Sequence, residues 1–166
     1  MKWISGVLAA ILPLVAAQAD PAAVAPPKGA KLLLAAQAEG VQIYECKAGE
    51  KGLSWVFKAP EAALFDRDGR QILSHFAGPS WKEPDGTTLV GEVVAKADAP
   101  EPNAIAWLLL RAKSHEGSGL LAKASFIRRI DTKGGAAPAI ACEAGQTGRG
   151  ARMRYSATYE FYEGGE

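Results

Sequence analysis

The chain has 166 residues, of which 22% are charged, and this length and composition are typical of one globular domain with a substantial core. Its 19 basic residues are nearly balanced by 18 acidic residues, for a net charge of +1. The sequence therefore has no excess of Lys and Arg that would favour nucleic acid or an anionic membrane surface as a partner.

The first predicted element is a signal peptide over residues 1–19. Lys2 precedes an apolar run, and Ala17-Gln18-Ala19 has the small-x-small pattern of a signal-peptidase site. The alternative is a membrane anchor, but the run is shorter than the roughly 20 residues that a bilayer span needs, and Pro13 interrupts it. We therefore expect a secreted or periplasmic protein that begins at Asp20 and has no transmembrane segment after signal removal.

The segment that follows, residues 20–30, reads DPAAVAPPKGA. It is rich in Ala and Pro and has few groups worth burying, which predicts a flexible, extended leader. A single β domain is expected over residues 31–163. At its start, Leu32 to Glu39 would also suit a short helix, but the break at Gly40 and the alternation after it favour two strand pieces joined at a bulge or turn.

The chain contains two cysteines, Cys46 and Cys142. In an oxidising compartment such a pair is expected to form a structural disulfide. A loop of this length would contribute roughly 4 to 5 kcal/mol of stability in the chain-entropy model. The alternatives are a metal thiolate or a reactive thiol, and no second motif in the sequence supports either of them.

The rest of the chain alternates short β-prone runs with turn signals such as Asp68-Gly69 and Asp85-Gly86. The run NAIAWLLLRA is apolar on both alternating faces, which predicts a central strand covered on both sides or a helix. The C-terminal run MRYSATYEFY places Met153, Tyr155, Ala157, Tyr159 and Phe161 on one face. The fold class predicted from this pattern is an all-β, single-domain antiparallel β-sandwich or barrel with long loops.

One turn-rich segment, HFAGPSWKEPDG, contains His75, Trp81 and Asp85. In one interpretation it presents all three side chains to a cleft, with the indole as a stacking platform for a sugar or another flat ligand. Exposed side chains of this kind should be replaceable at a cost within about half a kcal/mol. In the other interpretation, His75 and Trp81 pack at the sheet edge and Asp85 starts a hairpin turn.

A second candidate site lies in SFIRRIDT, which contains Arg128 and Arg129. Because successive side chains of a strand point to opposite faces, one of the two arginines has apolar neighbours in either register. An unpaired buried charge costs several kcal/mol, so one interpretation is a structural ion pair. The other is a site that binds a carboxylate or phosphate through the planar guanidinium group.

Sequence motifs of several common enzyme classes are missing. The chain has no GxSxG, P-loop, HExxH or paired CxxC motif, and its two histidines, His75 and His115, are too few for a three-histidine metal centre. We therefore expect no metal or cofactor, and predict a non-catalytic ligand-binding or envelope-associated module with a small-molecule or carbohydrate ligand. The alternative function is a small hydrolase or metal-dependent enzyme that uses His75 and Asp85.

Five sequence blocks together resemble a secreted family of bacteria and fungi that is known as a domain of unknown function. They are GVQIYEC, HFAGPSW followed by DGT, NAIAWLLLRA, FIRRIDTKGGAAP and YSATYEFY. The blocks run from about Gly40 to Tyr162, so the resemblance covers nearly the whole chain after the leader, and it implies export and one domain. Some fungal members are named malate dehydrogenase, but this chain lacks a Gly-rich dinucleotide fingerprint, and the resemblance implies no catalytic residue.

Overall fold

The structure is a computed structural model that describes residues 20–165. The strands form one antiparallel sheet that closes into a barrel. Each strand pairs with the one before it, and β8 pairs with β1. The eight strands are β1 (Lys31–Gly49), β2 (Gly52–Phe65), β3 (Gln71–Phe76), β4 (Ser80–Lys82), β5 (Thr88–Ala97), β6 (Trp107–Glu116), β7 (Phe126–Gly134) and β8 (Gly150–Glu163). The predicted all-β, single-domain class is confirmed, with a barrel as its architecture.

The barrel core is built from side chains that point inward from every second strand position. In β8, Tyr155, Ala157, Tyr159 and Phe161 are all buried, as the alternation in the sequence predicts. They meet inward residues of the other strands in one apolar cluster that includes Leu64, Leu73, Trp81, Leu89, Leu110 and Ile127. This cluster forms the barrel core, and some of its members also line the candidate site described below.

Strand β1 differs from the expected pair of strand pieces and from the helical alternative. It runs without a break from Lys31 to Gly49, and its register with β2 shifts between Ile43 and Tyr44, not at Gly40. Gly40 serves the close approach of the two strands, because a Cβ atom at this position would lie 2.2 Å from the carbonyl oxygen of Glu61. The glycine that resembles a strand break in the sequence is therefore required for the packing of β1 against β2.

Strand β6 is covered on both faces, which confirms the strand alternative for NAIAWLLLRA. Leu110 belongs to the barrel core, whereas Trp107 and Leu109 form a second cluster with Val24 on the outside of the sheet. Val24 ends a short 3-10 helix, Pro21–Val24, and its side chain has no exposed surface. Val24 is thus one of the few apolar groups of residues 20–30, and it packs against the outside of the barrel.

The predicted disulfide is confirmed. Cys46 of β1 is bonded to Cys142 in the loop between β7 and β8, and neither cysteine is left as a metal thiolate or a reactive thiol. The predicted signal peptide lies outside the described residues. Between residues 20 and 165, no helix has the length and apolar character needed to cross a membrane.

Two long loops cover one end of the barrel, and we call them the loop cover: residues 98–106 after β5 and residues 135–149 after β7. They are joined by a hydrogen bond of 3.2 Å from the Ala136 amide to the Asn103 carbonyl oxygen. The Tyr44 hydroxyl of β1 donates to the carbonyl oxygen of Gly135 at 2.7 Å. With the disulfide, these contacts hold the loop cover in place over the strand ends.

The wall of the barrel has a side opening next to the loop cover, because the hairpin of β3 and β4 is short. Strand β3 pairs with β2 only from Ala62 to Phe65, and β4 pairs with β5 only from Thr88 to Val90. Within the described chain, residues 52–61 of β2 and 92–97 of β5 therefore have no strand neighbour on this side. We use the name side opening for the gap between these two segments.

Candidate functional site

An interior cavity of about 530 Å³ lies between the barrel core and the loop cover. Its walls come from all eight strands, from the tip of the β3–β4 hairpin and from both cover loops. Phe57 and Lys58 of β2 and Val93 and Lys96 of β5 line it on the two sides of the side opening. The cavity therefore reaches solvent through the wall of the barrel.

Most of the cavity wall is apolar. The side chains that form it include Tyr44, Pro60, Ile105, Leu108, Leu110 and Tyr159. Phe57 stands at the opening with 51% of its surface exposed, and its ring meets the ring of Tyr44 edge to face at 5.8 Å between centroids. A ligand that enters would exchange water for aromatic and aliphatic surface, which is favourable by roughly 25 cal/mol for each Å² buried.

The floor of the cavity is a fixed aromatic cluster. The imidazole of His75 stacks on the indole of Trp81, with 4.6 Å between ring centroids and an interplanar angle of 8°. Tyr159 meets both rings edge to face, at 5.3 Å from His75 and 5.8 Å from Trp81. His75 is 3% exposed and Trp81 is fully buried, so the expectation of exposed loop side chains is wrong for both.

His75 is held as a neutral imidazole. Its Nδ1 lies 2.9 Å from the carbonyl oxygen of Ser80, and because a carbonyl only accepts, Nδ1 carries the proton and Nε2 is an acceptor. Burial lowers the pKa of His75 to about 4, the hydrogen bond to Ser80 opposes this effect, and the positive charge of Arg129 lowers the pKa further. His75 therefore adds no positive charge to the cavity at neutral pH.

Arg129 is the inner cation of the cavity. Its Nε and Nη2 donate to the carbonyl oxygen of Ala106 at 3.1 and 2.8 Å, which fixes the guanidinium beside the loop cover. Among residues 20–165, Arg129 makes no salt bridge with a carboxylate. The neighbouring Arg128 points to the outside of the sheet, where it pairs with Glu160 at 3.3 Å. The ion-pair interpretation thus holds for Arg128 alone.

Asp85 has a structural position away from the cavity. It lies in the turn that follows β4, whereas the cavity is lined by Gly78 and Pro79, which precede β4. Its Oδ1 accepts a hydrogen bond of 2.8 Å from the Thr87 amide, as expected of an aspartate that starts a turn. The structure therefore does not bring Asp85 to His75, and the paired site of the hydrolase alternative is not formed.

The structure thus brings together three of the five predicted binding residues, His75, Trp81 and Arg129, and leaves Asp85 and Arg128 outside the cavity. Sequence reasoning missed Gln42 and Tyr44, which line it from β1. Gln42 could have been found in the sequence as a polar side chain within a stretch whose alternating positions are apolar. It is 3% exposed, and its Nε2 has no hydrogen-bond partner within the described part of the chain.

No cluster of three or more His, Cys, Asp or Glu side chains within residues 20–165 is arranged to hold a metal ion. The second histidine, His115, follows the β5–β6 pairing to the other end of the barrel, where its Nε2 lies 2.7 Å from the carbonyl oxygen of Ala124. Because a carbonyl only accepts, this nitrogen is a donor. His115 is therefore a structural contact near the β6–β7 connection.

Comparison with known proteins gives one match. The model of a family described as protein of unknown function (DUF3455) matches residues 26–163. No curated protein and no solved structure matches the chain. The matched range includes every strand of the barrel and both loops of the cover.

Proposed function

We propose that the chain, which belongs to the family described as protein of unknown function (DUF3455), is an exported, non-catalytic protein that binds a small aromatic or aliphatic molecule inside its barrel. The observation that carries the proposal is the interior cavity of about 530 Å³. Small-molecule sites typically have volumes of about 300 to 1,000 Å³, apolar walls and a few polar groups that orient the ligand. This cavity has all three properties.

The rigidity of the cavity supports binding. Its floor is the stack of His75 on Trp81, and its cover is tied to β1 by the disulfide of Cys46 and Cys142. A preformed site loses little conformational entropy when the ligand binds, so more of the contact energy appears as affinity. A structural disulfide is also typical of proteins that fold in an oxidising compartment, which supports export.

The chemistry of the lining favours binding over catalysis. Among residues 20–165, no Ser, Thr, Cys, Asp or Glu side chain forms part of the cavity wall. His75 therefore has neither a nucleophile to activate nor a carboxylate to orient it, and both are parts of the usual hydrolytic arrangement. His75 therefore contributes a hydrogen-bond acceptor and a part of the cavity wall.

The burial of Trp81 favours an enclosed small molecule over a carbohydrate. Sugar rings bind on open aromatic faces, but Trp81 has no exposed surface, and its ring contacts His75, Tyr159 and Phe161. The exposed aromatic and aliphatic surface lies at the side opening, where it is formed by Phe57 and Val93 and not by Trp81. They give an apolar ligand a path from solvent to the interior.

Filling the cavity tests the proposal. We expect naphthalene-2-methanol, a neutral aromatic probe, to bind the purified protein saturably with one site per chain in titration calorimetry. Ile105→Trp places a large side chain in the cavity wall and should weaken binding at least about tenfold, a loss of about 1.4 kcal/mol. The matched control is Ile140→Trp in the same loop cover, where the side chain is 79% exposed and outside the lining.

Two results would overturn the proposed function. One is no saturable binding of naphthalene-2-methanol or of its carboxylate analogue at concentrations up to about 1 mM, which corresponds to about 4 kcal/mol of binding free energy. The other is equal weakening by Ile105→Trp and Ile140→Trp, because the control changes the cover surface without filling the cavity.

A further inference from the structure

The charges of the cavity are all of one sign. Arg129 lines its interior and Lys58 and Lys96 line its opening, whereas no Asp or Glu of the described chain lines it. Lys58 is paired with Glu45 at 3.1 Å on the surface, but Arg129 and Lys96 make no salt bridge within the described residues. A cation beside apolar walls is attracted to an anion more strongly than it would be in water.

The geometry of Arg129 leaves one binding edge unused. Nε and Nη2 both donate to the Ala106 carbonyl oxygen, which occupies the side edge of the guanidinium. The end edge, formed by Nη1 and the second hydrogen of Nη2, has no hydrogen-bond partner within residues 20–165. Two parallel N–H groups on one edge match the two oxygens of a carboxylate.

Tyr44 and Tyr155, whose pKa values are influenced by the charge of Arg129, are neutral. Burial raises the pKa of Tyr155 far above its usual value, and burial also raises the pKa of Tyr44, so neither phenol supplies a negative charge. The Nε2 of Gln42 is a buried donor without a partner in the described chain, and the Nε1 of Trp81 is another. A buried donor without an acceptor costs about 1 to 3 kcal/mol. These two donors therefore have no acceptor within residues 20–165, and a ligand with acceptor atoms could supply one.

We infer that the ligand is an organic acid with an apolar body, and that its carboxylate binds the free edge of Arg129 while the body lies between the aromatic floor and the side opening. This inference rests on the proposed function and adds the chemical class of the ligand. Lys96 at the opening would attract the acid before it enters, because charges at a cleft raise the rate of encounter with an opposite charge.

A pair of probes that differ only in the head group tests the inference. Naphthalene-2-carboxylate and naphthalene-2-methanol have the same ring system, but only the first is an anion at neutral pH. A hydrogen-bonded charge pair should make the carboxylate bind at least about tenfold more tightly in titration calorimetry, since bonds to charged groups contribute about 1.5 to 3 kcal/mol. Equal affinity for the two probes overturns the inference and leaves the proposed function standing.

Arg129→Gln assigns the head-group preference to one side chain. The amide can still donate to the Ala106 carbonyl oxygen, but the charge is gone, so the ratio of carboxylate affinity to alcohol affinity should fall at least about tenfold. Arg111→Gln is the matched control, because Arg111 lies on the outer surface in a salt bridge with Glu92. A retained preference in Arg129→Gln contradicts the assignment. If this variant does not fold, the comparison of the two probes on the wild-type protein still decides.

Discussion

His75 shows how far a single residue could be interpreted from sequence. The alternation of β3 predicts that His75 points away from Phe76, and the structure places His75 inside the barrel and Phe76 on the surface. The sequence alone did not show that the inside is closed, because closure depends on the pairing of β8 with β1. The two interpretations of His75, an exposed cleft residue or a residue packed at the sheet edge, therefore both place it nearer the surface than the buried stack in which it lies.

The burial of His75 predicts an acid-sensitive stability. Its folded pKa of about 4 is below its ordinary value of 6.5. Between these values the unfolded chain binds a proton that the folded chain excludes, so the neutral imidazole stabilises the fold above about pH 6.5, and this contribution is lost as the pH falls towards 4. The expected loss of unfolding free energy is up to about 1.4 kcal/mol for each pH unit in this window.

Urea unfolding at about pH 7 and about pH 5 measures this loss, with the slope set by linkage. His75→Gln should reduce the difference between the two pH values, because the variant has no proton to exclude at this position. Leu73→Ala is the control, since Leu73 is the neighbouring inward residue of β3 and is 2% exposed. It should lower stability at both pH values and keep the difference. An unchanged difference in His75→Gln would contradict the prediction.

At the scale of the strands, the local sequence pattern predicts burial correctly where a strand has one or two apolar faces. The alternation of β8 and the two apolar faces of β6 both correspond to observed burial. The length of β1 could not be predicted, because Gly40 is explained only by the backbone of β2 that passes beside it. Strand β4 has three residues, Ser80–Lys82, which is too short to produce a periodic signal.

Replacement of Gly40 tests the close contact of β1 and β2. A Cβ atom at this position would lie 2.5 Å from the Cα of Ala62 as well as against the Glu61 carbonyl oxygen, so both strands would have to separate. We expect Gly40→Ala to lower the free energy of unfolding by about 3 kcal/mol or more, at the upper end of overpacking costs. Gly145→Ala is the control, because no atom lies within 4 Å of the corresponding Cβ. Equal urea midpoints for the two variants would refute the contact.

At the scale of the whole molecule, the disulfide could be predicted from two cysteines and a predicted export signal, whereas the cavity could not. The cavity exists because the loops after β5 and β7 meet above the core, and their sequences contain no periodic pattern that indicates where they lie. The disulfide connects residues that are 96 positions apart and holds the second of these loops against β1. The disulfide therefore connects the barrel to the loop cover of the candidate site.

Removal of both cysteines should therefore affect stability and binding together. In the chain-entropy model, the double variant Cys46→Ser with Cys142→Ser loses about 4.7 kcal/mol of unfolding free energy. A looser cover would also reduce the affinity for naphthalene-2-carboxylate, since more of the contact energy is spent on ordering the loop. Urea unfolding and titration calorimetry give the two values. Wild-type affinity in a destabilised double variant would show that the cover is held without the disulfide.

The side opening also has a consequence for association between molecules. Strand segments without a neighbour present unpaired N–H and C=O groups, which are a template for edge-to-edge pairing and aggregation. Here one edge contains Pro60, which has no N–H, and Lys58, whereas the other contains Lys96 and a register shift between Val93 and Ala95. Proline, lysine and bulges are the features that discourage such pairing. The residues that surround the entrance can thus remain open to a small molecule while they keep two copies of the chain from joining their sheets.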